Sequence, residues 1–399
     1  MCHYKVKSYL SDFRMNHFIQ RVVDVQYGVQ TLQTCIIADK HTHVIMPAAS
    51  AFLFSMTKDK GARINSVKSY AATLVSFLNT LAQDPEIGGY GYGSVTDKQM
   101  RAYLELVLIV HKEVTLNTVE QNITRLNQFY EYCWKAGLIE DRPEFSYQLS
   151  DQKMREMKIK GGIKKSLDPF NLSEQYIPYS EFNERLAYKP RVGDYENARD
   201  DIVLKLGYFV GMRAAEVVSE DNFTLPRINA AISEADKKGD KGYLLFVIGK
   251  GSNGGKPRQV YIPQLLRQQI VRFMHGARKK TPGNLLICKS DGTQLHERHA
   301  SDTFSDAVKC LIKAGGEFSK SWKANKARCY HSLRHCYATN FAQYLKENNL
   351  PRLLLSERMG HADEETTLIY IHFNAVLHGD IETQNKILPL VHKKHLLES

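Results

Sequence analysis

Two arginines, two histidines and one tyrosine stand in an order that suits attack on a phosphodiester. Val210-Gly-Met-Arg213-Ala-Ala-Glu216 comes first; His331-Ser-Leu-Arg334, Gly360-His361 and Thr366-Thr367-Leu-Ile-Tyr370 lie near the C-terminus. A guanidinium is a planar, charged fork that can grip non-bridging phosphate oxygens. An imidazole can donate hydrogen bonds or move protons near neutral pH. A tyrosine can supply the covalent nucleophile. No Asp/Glu pair at two-metal spacing stands nearby, so charge stabilisation is expected from protein side chains, with no metal and no other cofactor.

Arg213 and Glu216, three residues apart, share a helix face. Arg213 can hold the scissile phosphate while Glu216 orients its neighbours. The bland alternative is a surface ion pair worth under about 1 kcal/mol. His331 and Arg334 sit at i and i+3 and face one way. Arg334 is the second clamp, and His331 a proton shuttle or phosphate donor. A zinc site competes there, because Cys329, His331, His335 and Cys336 crowd together. No Glu follows His331 as a zincin pattern requires, and Arg334 would repel a cation. His361, at what reads as a helix start, is placed to hydrogen-bond the phosphate. Tyr370 is one of 21 tyrosines, singled out by its place after Gly360-His361 and Thr366-Thr367. A phenol has a pKa of about 10, so a hydrogen-bonding base and a neutralised phosphate must assist it. Tyr330, Tyr337 and Tyr344 read as packing residues, and His372 as a weaker extra donor.

Together with Gly249-Lys250-Gly251, His331 through His335 and Met359 through His372, these motifs resemble those of the tyrosine recombinases, or phage-type integrases. The specific resemblance runs from about Tyr176 to Asp380, and a weaker one reaches back to Pro47. Where this chain has Val210-Gly-Met-Arg213 the family often has Thr-Gly-Leu-Arg. The resemblance places the catalytic lysine at Lys250, where a cation can protonate the departing 5′-oxygen. Lys256 is the rival, because Ser252-Asn-Gly-Gly255 lengthens the turn. The resemblance further implies a homotetramer on double-stranded DNA and a 3′-phosphotyrosyl intermediate, with no ATP. Integration or excision of a mobile genetic element, aided by accessory DNA-bending proteins, is the implied role. A type IB topoisomerase and a non-catalytic DNA-binding protein on the same fold remain as alternatives. The first fits less well, since such topoisomerases carry a lysine at the place of His331.

Groups so far apart in sequence need a scaffold. The 399 residues suffice for two or three domains. The pattern predicts a mainly α fold with a small β-hairpin or sheet (α+β), comprising a helical core-binding domain and a mixed catalytic domain. Residues 1–46 read as a β-rich extension, with strands in Val22–Tyr27 and Gln30–Ile37 and a turn at Asp39-Lys-His-Thr. Residues 47–150 read as helical: Val67, Tyr70, Leu74, Phe77, Leu78 and Leu81 recur at helical spacing, and a further helix starts near Thr96. Residues 151–173 form a basic linker, with Lys153, Arg155, Lys158, Lys160, Lys164 and Lys165 expected to touch DNA. Lys256 and Arg258, on the Gly-rich turn between two strands, are expected to do the same. Residues 174–380 form the catalytic domain, and 381–399 a tail that, by the resemblance, docks on a neighbouring protomer; the alternative is a tail folded back on its own domain. A net charge of +11 favours a polyanionic partner. Seven scattered cysteines without a Cys-x-x-Cys fit a reducing compartment. With no signal peptide visible and apolar runs too short to span a bilayer, a cytoplasmic, nucleoid-associated protein away from membranes is expected.

Overall fold

The computed structural model describes residues 17–83, 91–114, 116–140, 169–183, 193–249, 257–315, 319, 322, 328–361 and 364–387. The fold is mainly α with two small antiparallel sheets. By its contacts the chain divides into two units, Met1–Ser166 and Leu167–Ser399.

In the first unit, β1 (Phe18–Tyr27) pairs with β2 (Gln30–Asp39), and Tyr27 faces Gln30. The hairpin therefore turns at Gly28-Val29, between the two expected strands. Gly28 takes φ +59°, the left-handed conformation that a two-residue turn of this kind demands. Asp39 does turn the chain: its Oδ1 accepts the His41 and Thr42 amides, each at 2.8 Å, and Ile45 then bridges to Ala38. Behind the hairpin lie α1 (Pro47–Lys58) and α2 (Ile64–Leu81). Val67, Ala71, Leu74, Phe77, Leu78 and Leu81 make one buried face of α2. They share a single core with Phe18, Cys35 and Ile37 of the hairpin. Asn79 fixes the joint, accepting the Phe18 amide at 2.8 Å and donating to its carbonyl at 3.0 Å. α3 (Asp97–Arg101) starts at a capping box between Thr96 and Gln99 and widens into π-helical geometry over Ala102–His111. α4 (Leu116–Lys135) completes the bundle.

The second unit contains α5 (Pro169–Gln175), α6 (Asp194–Val210), α7 (Ala214–Val217) and α8 (Leu225–Lys238). The hairpin of β3 (Tyr243–Ile248) and β4 (Pro257–Ile262) comes next, then α9 (Gln264–His275) and α10 (His299–Ala314). Helices α11 (Tyr330–Glu347), α12 (Leu353–Met359) and α13 (Glu364–Leu377) follow. α11 is central and packs against α6, α10, α12 and α13. Its Leu333 and Cys336 join Val203, Leu206 and Tyr208 in the core, where burial of each large apolar side chain is worth roughly 1.5–3 kcal/mol. Along β3, Tyr243, Leu245 and Val247 point inward, and Leu244 and Phe246 point out.

One expected boundary falls elsewhere, and the start of the tail takes the folded-back alternative. Residues 169–175 are already helical, with Leu172 buried, so the end of the expected linker belongs to the second unit. From Asp380 to Ile387 the chain folds back on its own unit. Asp380 binds the Thr383 amide at 3.1 Å and Lys346 Nζ at 2.6 Å, and Ile387 is buried in the cluster that holds Leu172 and Tyr370. Residues 388–399 lie outside the described residues. So do the linker cations Lys153, Arg155, Lys158, Lys160, Lys164 and Lys165, and also Lys250 and Lys256. Among the described residues no helix is long and apolar enough to cross a membrane.

Candidate active site

The end of α6 positions Arg213, the expected first phosphate clamp. Gly211 caps the helix with φ +70°, and a Cβ there would lie 2.4 Å from the Tyr337 ring. The reversed backbone then presents Arg213 as the cap of the short helix α7, with its side chain 29% exposed. Arg213 Nη1 meets Glu216 Oε1 at 2.8 Å, and the Arg213 amide meets Oε2 at the same distance.

Glu216 is buried and serves two arginines. Arg258 Nη1 and Nη2 donate to its two oxygens at 2.7 and 2.8 Å. Burial alone would raise the carboxyl pKa. The Arg258 fork and its charge, with Arg213 behind, outweigh that and hold Glu216 down to about 2. The expectation that Arg258 faces DNA is thereby corrected. It is 7% exposed and its third contact is the Arg358 carbonyl, at 3.0 Å. A guanidinium with a bidentate carboxylate is far better placed inside than an unpaired one. Asn222 extends this arrangement: its Nδ2 donates to the Glu216 carbonyl at 2.9 Å, and its Oδ1 accepts the Ile248 amide at 2.7 Å. The strand that leads to Lys250 is therefore tied to the helix that carries Glu216.

α11 brings His331, Arg334 and His335 to one face. Arg334 is almost fully buried and donates to the carbonyls of Gly211 and Met359, at the ends of α6 and α12. Burial, then Arg213 and Arg258, push its pKa to about 9, which leaves it cationic at neutral pH. His331 is exposed; desolvation by its surroundings, then Arg334 and Arg213, push it below the usual histidine range.

Gly360-His361 ends a helix rather than starting one. Gly360, with φ +60°, caps α12, because only a left-handed residue lets the chain leave the helix so sharply. His361 Nδ1 then pairs with Thr367 Oγ1 at 2.9 Å, across the start of α13. Burial, then Arg334 and Arg213, push His361 down to about 4.

Tyr370, on α13, is 2% exposed. Its ring stacks on that of His361, with centroids 5.8 Å apart and planes 15° apart. Its hydroxyl lies 2.8 Å from His335 Nδ1. Burial pushes the phenol up to about 12, against the pull of Arg334 and Arg213. Burial, then His331, Arg334 and His361, push His335 down to about 3.

The structure thus gathers Arg213, Glu216, His331, Arg334, His361 and Tyr370 around the junction of α6, α11, α12 and α13. No sequence motif assigned a part in this site to His335, Arg258 or Asn222. His335 carried one signal, its i,i+4 spacing from His331, which suits a shared site as well as a metal. The zinc alternative does not assemble. Cys336 Sγ accepts the Ile177 amide at 3.2 Å within the core, and His335 Nδ1 is engaged with Tyr370. Among the described residues no three His, Cys, Asp or Glu side chains are grouped to hold a metal.

Residues 181–376 match the phage integrase family. The chain belongs to this family of tyrosine-type site-specific recombinases. The tyrosine recombinase XerD of Shewanella oneidensis is 26% identical over 335 residues, spanning 83% of this chain and 93% of that protein. XerC of Alcanivorax borkumensis is 23% identical, spanning 84% of this chain and 92% of that protein. Among solved structures, the XerH site-specific recombinase in a pre-cleavage complex with its difH substrate matches with a TM-score of 0.52. It has 18% sequence identity and covers 84% of each chain. This likeness shows that the recombinase shares that fold.

Proposed function

We propose that this recombinase cuts and rejoins double-stranded DNA through Tyr370. The phenol oxygen attacks a backbone phosphate, forms a 3′-phosphotyrosyl link and releases a 5′-hydroxyl. A 5′-hydroxyl from another strand reverses the step and seals a new junction. One observation carries this reading. A single buried tyrosine lies where two guanidiniums, Arg213 and Arg334, act on it electrostatically, beside the ring of His361. Those cations can neutralise the charge that builds on the phosphate oxygens as the bond forms. Lys250 is the proposed proton donor to the 5′-oxygen, with Lys256 as the rival. The basic residues of 151–165 would contact the phosphate backbone, and four protomers would assemble on DNA to exchange both strand pairs. Mobilisation of a genetic element, with DNA-bending proteins assisting and a nucleoid location, is the cellular role we favour.

The test uses nicked duplexes selected from a random pool by binding to the protein. Unaltered protein should form a covalent adduct that survives denaturation and maps to Tyr370. Tyr370→Phe should form none. Binding without any adduct would leave a DNA-binding module on this fold.

A further inference from the structure

We propose that His335 is the base that takes the phenol proton as Tyr370 attacks the phosphate. The inference rests on Tyr370 being the nucleophile. The Tyr370 hydroxyl donates to His335 Nδ1 at 2.8 Å, within the reach a proton transfer needs. Both side chains are buried, at 2% and 6% exposure, so water does not compete for the contact. With Nδ1 accepting, the neutral ring carries its proton on Nε2, a tautomer assigned from this hydrogen bond.

The neighbouring imidazoles are worse placed. His361 lies face-on to the Tyr370 ring and its Nδ1 is engaged with Thr367 Oγ1. His331 meets the edge of His335, with ring centroids 4.7 Å apart. Arg213 and Arg334 carry no acceptor.

Burial first, and then the neighbouring His331 and Arg334, keep His335 neutral, hence able to accept. They also make it a weak base, pushed to about 3 against a phenol near 12. Transfer in the resting protein is therefore strongly uphill. It becomes feasible only in concert with bond formation: the phosphate brings negative charge beside the imidazole, and the phenol grows acidic as its oxygen bonds to phosphorus. In the step, the Oη–P bond forms and the bond from phosphorus to the 5′-oxygen breaks. The phenol proton passes to Nδ1, giving an imidazolium. The 5′-oxygen leaves as a hydroxyl with a proton from a separate acid, for which we have proposed Lys250. Rejoining returns the Nδ1 proton to Tyr370.

The experiment measures adduct formation on the nicked duplex in four proteins. These are unaltered protein, His335→Ala, and each of the two with ring-fluorinated, more acidic tyrosine at position 370. His335→Ala should slow the adduct by about 10²-fold or more, as expected for loss of a general base. Fluorination should recover most of that loss and change the unaltered protein little. If His335→Ala does not fold, His335→Gln fills the space without a titratable nitrogen and serves in its place. A folded variant as fast as unaltered protein overturns the proposal. So does a faster one, which would make His335 a latch that holds Tyr370 inside, and so does a slow one that fluorination cannot rescue. No adduct even with unaltered protein would sink the phosphotyrosyl reading itself and this step with it.

Discussion

Among single residues, two arginines share the Glu216 carboxylate in different surroundings. Arg213 is part-exposed on Glu216, whereas Arg258 meets the same carboxylate from the buried side. Arg258→Ala leaves a buried carboxylate short of its main partner, a change that costs about 3–5 kcal/mol. Its thermal unfolding should drop by many degrees. Arg213→Ala should unfold near the unaltered temperature and yet form little adduct. Equal unfolding temperatures for the two variants would contradict this division. The buried histidines and Glu216 titrate in one direction. His361 and His335 are held near 4 and 3 when folded, below their ordinary value of about 6.5. Below that value the unfolded chain takes up protons that the folded one refuses, so stability falls as pH drops from about 6.5 toward 4. Glu216, held to about 2 from 4.5, adds a further loss below pH 4.5. Denaturant midpoints measured from pH 7 to pH 4 should fall steadily, and a flat profile would refute the assignment.

Among the elements, helix ends do the positioning. Arg334 sits in the middle of a buried helix face but grips carbonyls at the ends of α6 and α12, which makes one side chain the meeting point of three helices. Gly211 is the sensitive joint. Gly211→Ala meets both a left-handed φ and the Tyr337 ring, a combination that costs about 1–3 kcal/mol in backbone strain before the clash is counted. Adduct formation should fall further than stability alone explains, because Arg213 is two residues away. Wild-type cleavage in this variant would show that the turn does not set the clamp. Far from the site, Asn79→Ala should loosen the first hairpin by about 1–3 kcal/mol, since it removes two buried hydrogen bonds to the Phe18 backbone.

Across the molecule, residues 381–387 belong to the packing of the second unit through Ile387, and truncation distinguishes their role from that of residues 388–399. A chain ending at Asp380 should unfold at a lower temperature than one ending at Ile387, because Ile387 no longer covers the cluster that holds Leu172 and Tyr370. If residues 388–399 reach a neighbouring protomer, the chain ending at Ile387 keeps its adduct chemistry and loses assembly on DNA, measured by sedimentation. Retained assembly would refute that role.

The set of residues the fold gathers and most of the elements were legible in the amino-acid order. Motif order singled out Arg213, His331, Arg334, His361 and Tyr370 from an ordinary composition. Helical spacing along Val67 to Leu81 placed a buried face, because the period of a helix is local. Turn chemistry was local too: the gap between the two strands falls at Gly28-Val29, and Asp39 bends the chain after the second. Folding alone assigned His335 to Tyr370 and Arg258 to Glu216. Those pairs are separated by 35 and 42 positions, and nothing in the local sequence marks which cation will be buried. Burial is what converts an ordinary histidine into a neutral acceptor and a basic turn residue into an internal counter-ion, and burial is set by how helices cross, not by the residues beside each one.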